Sequence, residues 1–456
     1  MSALRLSELA TMLNGALNGA DNGFDGVSTD TRTLSQGELF VALRGPNFDG
    51  HDYLGAARDR GAAGAMVERP AKAGLATVEV VDTLQSLGEL GRQWRLRCPA
   101  RVIAITGSNG KTTLKEMIAA VLGQKGAVLA TRGNLNNDIG VPLTLSRLRD
   151  EPFAVIELGA NHAGEIDYLT NLVRPDIAVL NNAGRAHLEG FGSIEGVARA
   201  KAEIINGLGS DGTFVFNADD RFAGLWRELG KGLSQRTFGV MQPADVSSPA
   251  SAYQVVWNDS RFEARFPVLC ADGEIELSLA LAGEHNRMNA LAAVAASLAA
   301  GADLHDARQA LCQLQPVNGR LCPLAGINGA RLIDDSYNAN PDSVIAALRV
   351  LAAAPGRRTL VLGDLAELGS AAQQLHRQLG EHAAAFGIER LFTFGRLSRH
   401  ADEGFRGEHR HFDDRAALAE VLLADLSADD SVLIKGSRSA RMDEVVAHLR
   451  RREAVC

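Results

Sequence analysis

The run Val-Ile-Ala-Ile-Thr-Gly-Ser-Asn-Gly-Lys-Thr-Thr at 102–113 limits the folds open to this chain more than any other segment. Its apolar and β-branched start predicts a buried strand over 102–106, its glycines a tight turn over 107–110, and the residues after them an amphipathic helix over 112–122. A strand leading straight into a helix belongs in a parallel sheet, because a parallel neighbour is reached only through a crossover. The same unit suits a polyphosphate. Glycines let backbone N–H groups turn inward, and the helix N-terminus adds its positive end. Lys111 neutralises oxygens, and a Thr hydroxyl can ligate Mg²⁺. Gly107, Ser108, Asn109, Gly110, Lys111, Thr112 and Thr113 are therefore the candidate phosphate-binding set. The usual G-x-x-x-x-G-K-[ST] spacing would put glycine at 105, where this chain has Ile. The shorter pattern is weak alone; the flanking strand and helix give it weight.

With 456 residues the chain is long enough for about three domains. The boundaries are expected near 1–82, 83–320 and 321–456. Strands are expected at 39–43 and 78–81 and a helix at 53–60 in the first block. The second has strands at 154–158 and 177–180 and helices at 194–208 and 283–300. The third alternates strands at 331–335, 359–363, 391–394 and 432–434 with helices at 342–353, 371–386, 415–425 and 440–450. Alternation of this kind predicts α/β domains with parallel sheets covered on both faces. The formal charge of −8 speaks against nucleic acid, and no segment has the ~20 apolar residues of a membrane span. Five scattered cysteines without a C-x-x-C pair fit a reducing compartment and no zinc site. A soluble cytoplasmic protein, acting as a monomer, is the expectation.

Other polar residues allow two readings each. Glu157 ends a strand and would face the phosphate loop, to hold Mg²⁺ or as an ordinary strand-end acid. His187 reads as a loop residue and Lys201, on a helix, as a solvated surface lysine. The stretch 133–140 is unusually rich in amides, and Asn and Gly there are ordinary turn chemistry, a simple loop. Asn286 and Asn289 share a helix face, where they read an adenine edge or cap the helix.

Taken in order, the segments Ser28-Thr29-Asp30-Thr31-Arg32, Phe48-Asp49-Gly50-His51, the shortened phosphate loop, Glu157-Leu158-Gly159-Ala160-Asn161-His162, Ala186-His187-Leu188-Glu189-Gly190-Phe191, Asp334-Asp335-Ser336-Tyr337-Asn338-Ala339-Asn340-Pro341 and Lys435-Gly436-Ser437-Arg438-Ser439 resemble the Mur ligases of bacterial cell-wall synthesis. The resemblance covers essentially the whole chain. Within that family it points to the branch that joins D-alanyl-D-alanine to UDP-N-acetylmuramoyl-tripeptide. It implies a small N-terminal α/β substrate domain, a central P-loop-type ATPase domain and a C-terminal Rossmann-like domain. It also implies ATP, two Mg²⁺ ions and an acyl-phosphate intermediate. By the same resemblance Glu157 and His187 take part in metal binding, and Lys201 is carbamylated to hold the second ion. Thr29, Thr31, Pro46, Asn47 and Phe48 match the site for the uridine-diphosphate end, and Asn136, Asn137, Asn161 and His162 lie near the sugar-peptide. Asn286, Asn289, Arg320 and Asp335 contact nucleotide, while Lys435, Ser437 and Arg438 lie where the dipeptide enters. A sister ligase adding one amino acid, folylpolyglutamate synthase, and a non-catalytic ATP-switched binding protein remain the alternatives.

Overall fold

The computed structural model describes residues 4–70, 74–258 and 261–451. Three sheets organise it. The first body is a five-stranded sheet in the order Ala16–Asn18, Thr77–Glu79, Gly64–Val67, Leu39–Val41, Val27–Ser28, antiparallel only at the first pair. Helix Thr83–Leu96 follows, its N-terminus closed by the Asp82 carboxylate accepting from Gln85 N–H at 2.9 Å. Leu87, Leu90 and Trp94 recur at helical spacing and are buried in one core that runs from the first sheet (Leu39, Val41, Met66, Val78) into the central body (Val141, Leu145). The first body is thus seated by shared apolar packing.

The central sheet runs Val128–Ala130, Phe153–Glu157, Arg101–Thr106, Ile177–Leu180, Thr213–Asn217, Ser234–Gly239, Val246–Ser247, all parallel. The chain leaves Arg101–Thr106 in both directions, so a switch point, where a crevice forms, lies at the carboxyl end of that strand. The parallel sheet expected from the alternation is present, and it carries an antiparallel extension at one edge. Arg261–Cys270 adds to the edge antiparallel and is flanked by Gln254–Asn258 and Gly273–Leu279. The reason is visible in the alternation of buried Phe262, Ala264, Phe266 and Val268 with more exposed neighbours, the pattern of a sheet with one wet face. Helix Ile194–Ala202 is also shorter than expected, ending in a 3₁₀ turn over Glu203–Gly207.

The C-terminal sheet runs Cys322–Ala325, Arg331–Asp335, Asp430–Lys435, Arg357–Gly363, Arg390–Phe394, Glu408–Phe412, parallel except for the first pair. Helices Pro341–Ala352, Ala372–Ala385, Arg415–Asp425 and Asp443–Leu449 cover it. The register pairs Asp335 with Lys435 at the carboxyl ends of adjacent strands. Cys98, Cys270, Cys312 and Cys322 are free thiols, and Cys456 lies outside the described residues. Among the described residues no helix is long and apolar enough to cross a membrane.

Candidate active site between the central and C-terminal bodies

A cleft of about 940 Å³ lies between the carboxyl ends of the central and C-terminal sheets. The loop 107–110 forms its floor. Gly110 has φ +80°, and a Cβ there would stand 2.5 Å from the Asn289 Oδ1 atom, so glycine is required both by conformation and by space. Asn181 and Asn182, at the end of the neighbouring strand, brace the loop from behind. Asn181 Nδ2 donates to the Asn109 carbonyl at 3.1 Å and to Asn289 Oδ1 at 2.8 Å. Asn109 N–H donates to Asn182 Oδ1 at 2.9 Å, and Ser108 N–H to the Asn182 carbonyl at 3.1 Å. Sequence reasoning missed these asparagines; the strand-end argument applied to Glu157 finds them.

Lys111 begins the helix Lys111–Leu122, and its ammonium donates to the Gly107 carbonyl at 2.6 Å. Burial pushes this ammonium below its usual range; Glu157 opposes that shift and Arg320 adds to it. Thr112 Oγ1 donates to Glu157 Oε2 at 3.0 Å, and Asn136 Nδ2 to Glu157 Oε1 at 2.8 Å. Glu157 is buried and its own N–H is held by Thr131 Oγ1 at 2.9 Å. Thr113, Asn137 and Asn161 also line the cleft. Asn286 and Asn289 line the wall beside the loop. Asn289 Nδ2 donates to Asn286 Oδ1 at 3.2 Å, and Asn286 Nδ2 to the Ala282 carbonyl at 2.8 Å. His285, beside them, was missed from sequence. Burial lowers it to about 4, so it is neutral at pH 7.

The opposite wall comes from the C-terminal body. Asp335 Oδ2 accepts from the Lys435 ammonium at 2.6 Å, both residues being buried, and Asp335 Oδ1 accepts from Leu321 N–H at 3.2 Å. The Arg320 guanidinium lies 4.1 Å from the centroid of the Tyr337 ring and reaches Thr112 Oγ1 at 3.5 Å. Arg438 donates to the Tyr337 hydroxyl at 2.9 Å, and Ser437 lines the same side. Polar bonds cross the seam. Asn340 Nδ2 donates to Asn109 Oδ1 at 2.7 Å. The Asp342 carboxylate accepts from Arg185 N–H at 2.6 Å and from its Nε at 2.8 Å. His187 Nδ1 sits against the Glu367 carboxylate. Both members of that last pair hold left-handed backbone, at φ +53° and +59°, a conformation that costs side-chain-bearing residues energy and gathers at functional sites.

Lys201 corrects the reading of residue identity. It is 1% exposed, without a salt bridge among the described residues, its ammonium 5.8 Å from the centroid of the Phe191 ring. Burial, with Lys111 adding to it, drives its pKa well below the lysine range. Of the remaining candidates, His162 is exposed and pairs with Glu165 at 3.1 Å, outside the cleft lining. Thr29 and Thr31 are half-buried, Pro46 and Asn47 exposed, and Phe48 is 54% exposed; all five belong to the first body and stand apart from this cleft.

A glycine-rich loop with the shape that suits phosphate, faced by an Asp–Lys pair and arginines across a cleft, is the arrangement of a multi-body enzyme of the nucleotide-dependent class. Comparison with known proteins narrows this. Residues 23–95 match the Mur ligase family catalytic domain, 105–297 the Mur ligase middle domain, and 319–438 the Mur ligase glutamate ligase domain. The chain is 45% identical over 453 residues to the UDP-N-acetylmuramoyl-tripeptide–D-alanyl-D-alanine ligase of Escherichia coli K12, covering 98% of this chain and 99% of that protein. Its structure resembles MurF from Acinetobacter baumannii (TM-score 0.91, 36% identity, 98% of both chains). It also resembles MurF ligase from Thermotoga maritima in complex with ADP (TM-score 0.82, 28% identity, 93% and 96% covered). The chain belongs to the Mur ligase family.

Proposed function

We propose that this protein is an ATP-dependent, ADP-forming ligase that joins D-alanyl-D-alanine to UDP-N-acetylmuramoyl-tripeptide in the cytoplasm, as a monomer. The observation that carries the reading is the joint cleft: Lys111, Thr112 and Glu157 from one body face Arg320, Asp335 and Lys435 from another. Full-length similarity to ligases of this name supports it.

In this reading the tripeptide's terminal carboxylate attacks the γ-phosphorus of ATP, ADP leaves, and an acyl phosphate forms. The dipeptide amine then attacks the acyl carbon and phosphate departs from a tetrahedral intermediate. Lys111 and the loop N–H groups bind the phosphates and take up their charge. Asn286 and Asn289 face the base, with Arg320 and Asp335 closing over the nucleotide. Asn136, Asn137, Asn161 and His162 attend the sugar-peptide, and the residues at 29, 31 and 46–48 the uridine-diphosphate end. Lys435, Ser437 and Arg438 attend the incoming amine. The seam bonds keep water from the acyl phosphate.

The donor set suits Mg²⁺, because the Thr112 hydroxyl and the Glu157 carboxylate are adjacent hard oxygens. Among the described residues no cluster of three His, Cys, Asp or Glu could hold an ion alone, so phosphate oxygens would complete the shell. Bound there, the ion neutralises charge on the transferred phosphoryl group. Lys201 as a free amine suits no cation. Its low basicity favours the neutral amine that attacks CO₂, and the carbamate left after proton loss would give His187 a neighbouring anion for a second ion.

The test is ADP release with each substrate omitted in turn. Turnover strictly requires ATP, the UDP-tripeptide and D-alanyl-D-alanine. Equal turnover with a single amino acid would move the protein to a sister activity, and ATP loss without an acceptor would sink the reading.

A further inference from the structure

The loop 364–368 enters the cleft through Ala366, Glu367 and Leu368, and its entry is gripped at one peptide unit. The Asp364 carbonyl accepts from Ser437 N–H at 2.9 Å and from the Ser437 hydroxyl at 2.6 Å. The N–H of the same unit, that of Leu365, donates to His376 Nε2 at 3.1 Å. A peptide unit is planar, with its C=O and N–H pointing opposite ways. Holding both ends therefore fixes the orientation of the plane and the direction in which the next residues leave it. Two residues on, Glu367 turns through left-handed backbone to meet His187.

His376 has no solvent exposure; it sits on helix Ala372–Ala385. Its Nδ1 lies 2.7 Å from the Ala372 carbonyl. Because a backbone N–H can only donate, Nε2 must accept from Leu365, so the ring proton sits on Nδ1 and goes to Ala372. Burial lowers the imidazole pKa and keeps this neutral form. A purely space-filling core residue would have no need of an acceptor at that atom.

We propose that His376 is a positioning residue: by orienting the 364–365 peptide it holds Glu367 against His187 on one side and couples that loop to Ser437 on the other. It touches no reactant. The inference rests on the ligase reading above.

Three substitutions separate this from a structural role. His376→Gln keeps an acceptor near the place of Nε2, His376→Asn keeps one only near Nδ1, and His376→Leu keeps neither. Since a ~1 Å misplacement can cost about 10²-fold, the Asn and Leu variants are expected to lose about that much kcat/KM, and Gln to stay within about threefold. Combined with Glu367→Ala, the Leu variant adds little further loss, because both act through one loop. A folded Leu variant with normal rates, a Gln variant as impaired as Leu, or additive losses would each overturn the proposal. If Leu fails to fold, the Gln–Asn contrast decides. Amide exchange at Leu365 needs no turnover: it is expected to be slow in wild type and Gln and fast in Asn, and equal exchange in all three refutes the proposal. A wild type that makes no product but shows this exchange pattern would sink the ligase reading alone.

Discussion

Asp342→Ala tests whether the seam between the central and C-terminal bodies governs turnover. The carboxylate takes the Arg185 N–H and Nε at 2.6 and 2.8 Å, with the two side chains 31% and 28% exposed. A half-exposed ion pair contributes about 0–1 kcal/mol, and the backbone N–H bond about 1 kcal/mol more. Together that is about 1–2 kcal/mol, a factor of roughly 5–30 in the balance between joined and parted bodies. If joining precedes chemistry, kcat/KM for the dipeptide falls by that factor. Wild type is also expected to slow in high salt more than the variant does, since screening weakens the pair only where it exists. Because Asp342 also sits in the first turn of its helix, its loss removes a helix-dipole interaction as well. Arg185→Ala lacks that complication and keeps the backbone bond, so it should lose less, and the double variant should lose no more than Asp342→Ala alone. The assays are coupled ADP release and X-ray scattering with nucleotide and UDP-tripeptide. Rates within twofold of wild type and unchanged compaction in both single variants would refute the argument.

Lys111→Ala is expected to lose at least about 10²-fold in kcat while remaining folded by circular dichroism, as for loss of one aimed electrostatic donor. Lys201→Met removes a buried amine that has no salt bridge among the described residues, so unmodified protein should gain Tm or keep it while turnover is abolished; the wild-type protein, handled gently, should show the mass of one added CO₂. His285 sets a pH dependence. Its folded pKa of about 4 lies below the ordinary 6.5, so the unfolded chain binds the proton first, and stability falls as pH drops from 6.5 toward 4. Complete passage through that window is worth about 3 kcal/mol. His285→Leu should flatten this part of the urea-stability profile, and an unchanged slope would count against it.

Much of this architecture was legible in the sequence because local pattern and tertiary role agree there. The strand expected at 102–106 is Arg101–Thr106, and 177–180 and 331–335 fall on strands with those bounds. Agreement ends where partners decide. The edge at 254–279 is antiparallel because one face of it meets solvent, which a rule built on alternating strands and helices does not register. Lys201 looks like surface on a helix of mixed polarity, and only packing of that helix against Glu165–Val173 and Leu188–Phe191 makes it buried. Asn340, Asp342 and Glu367 are remote in sequence from the residues they meet, so no spacing announces them. Asp335 and Lys435, a hundred positions apart, become neighbours through strand register alone.

The antiparallel edge has one more effect. Phe262, edge-on to Trp257 at 4.3 Å between ring centroids, is buried in the same cluster as Leu321, Val344 and Leu348 of the C-terminal body and Ala282 of the central one. The bodies therefore share an apolar contact as well as the polar bonds of the seam. Rotation about that contact is expected to move the Asn286 wall, anchored on Ala282, less than the His187–Glu367 rim. Peptide product is then expected to leave before nucleotide, and product-inhibition kinetics showing the reverse order would refute this hinge.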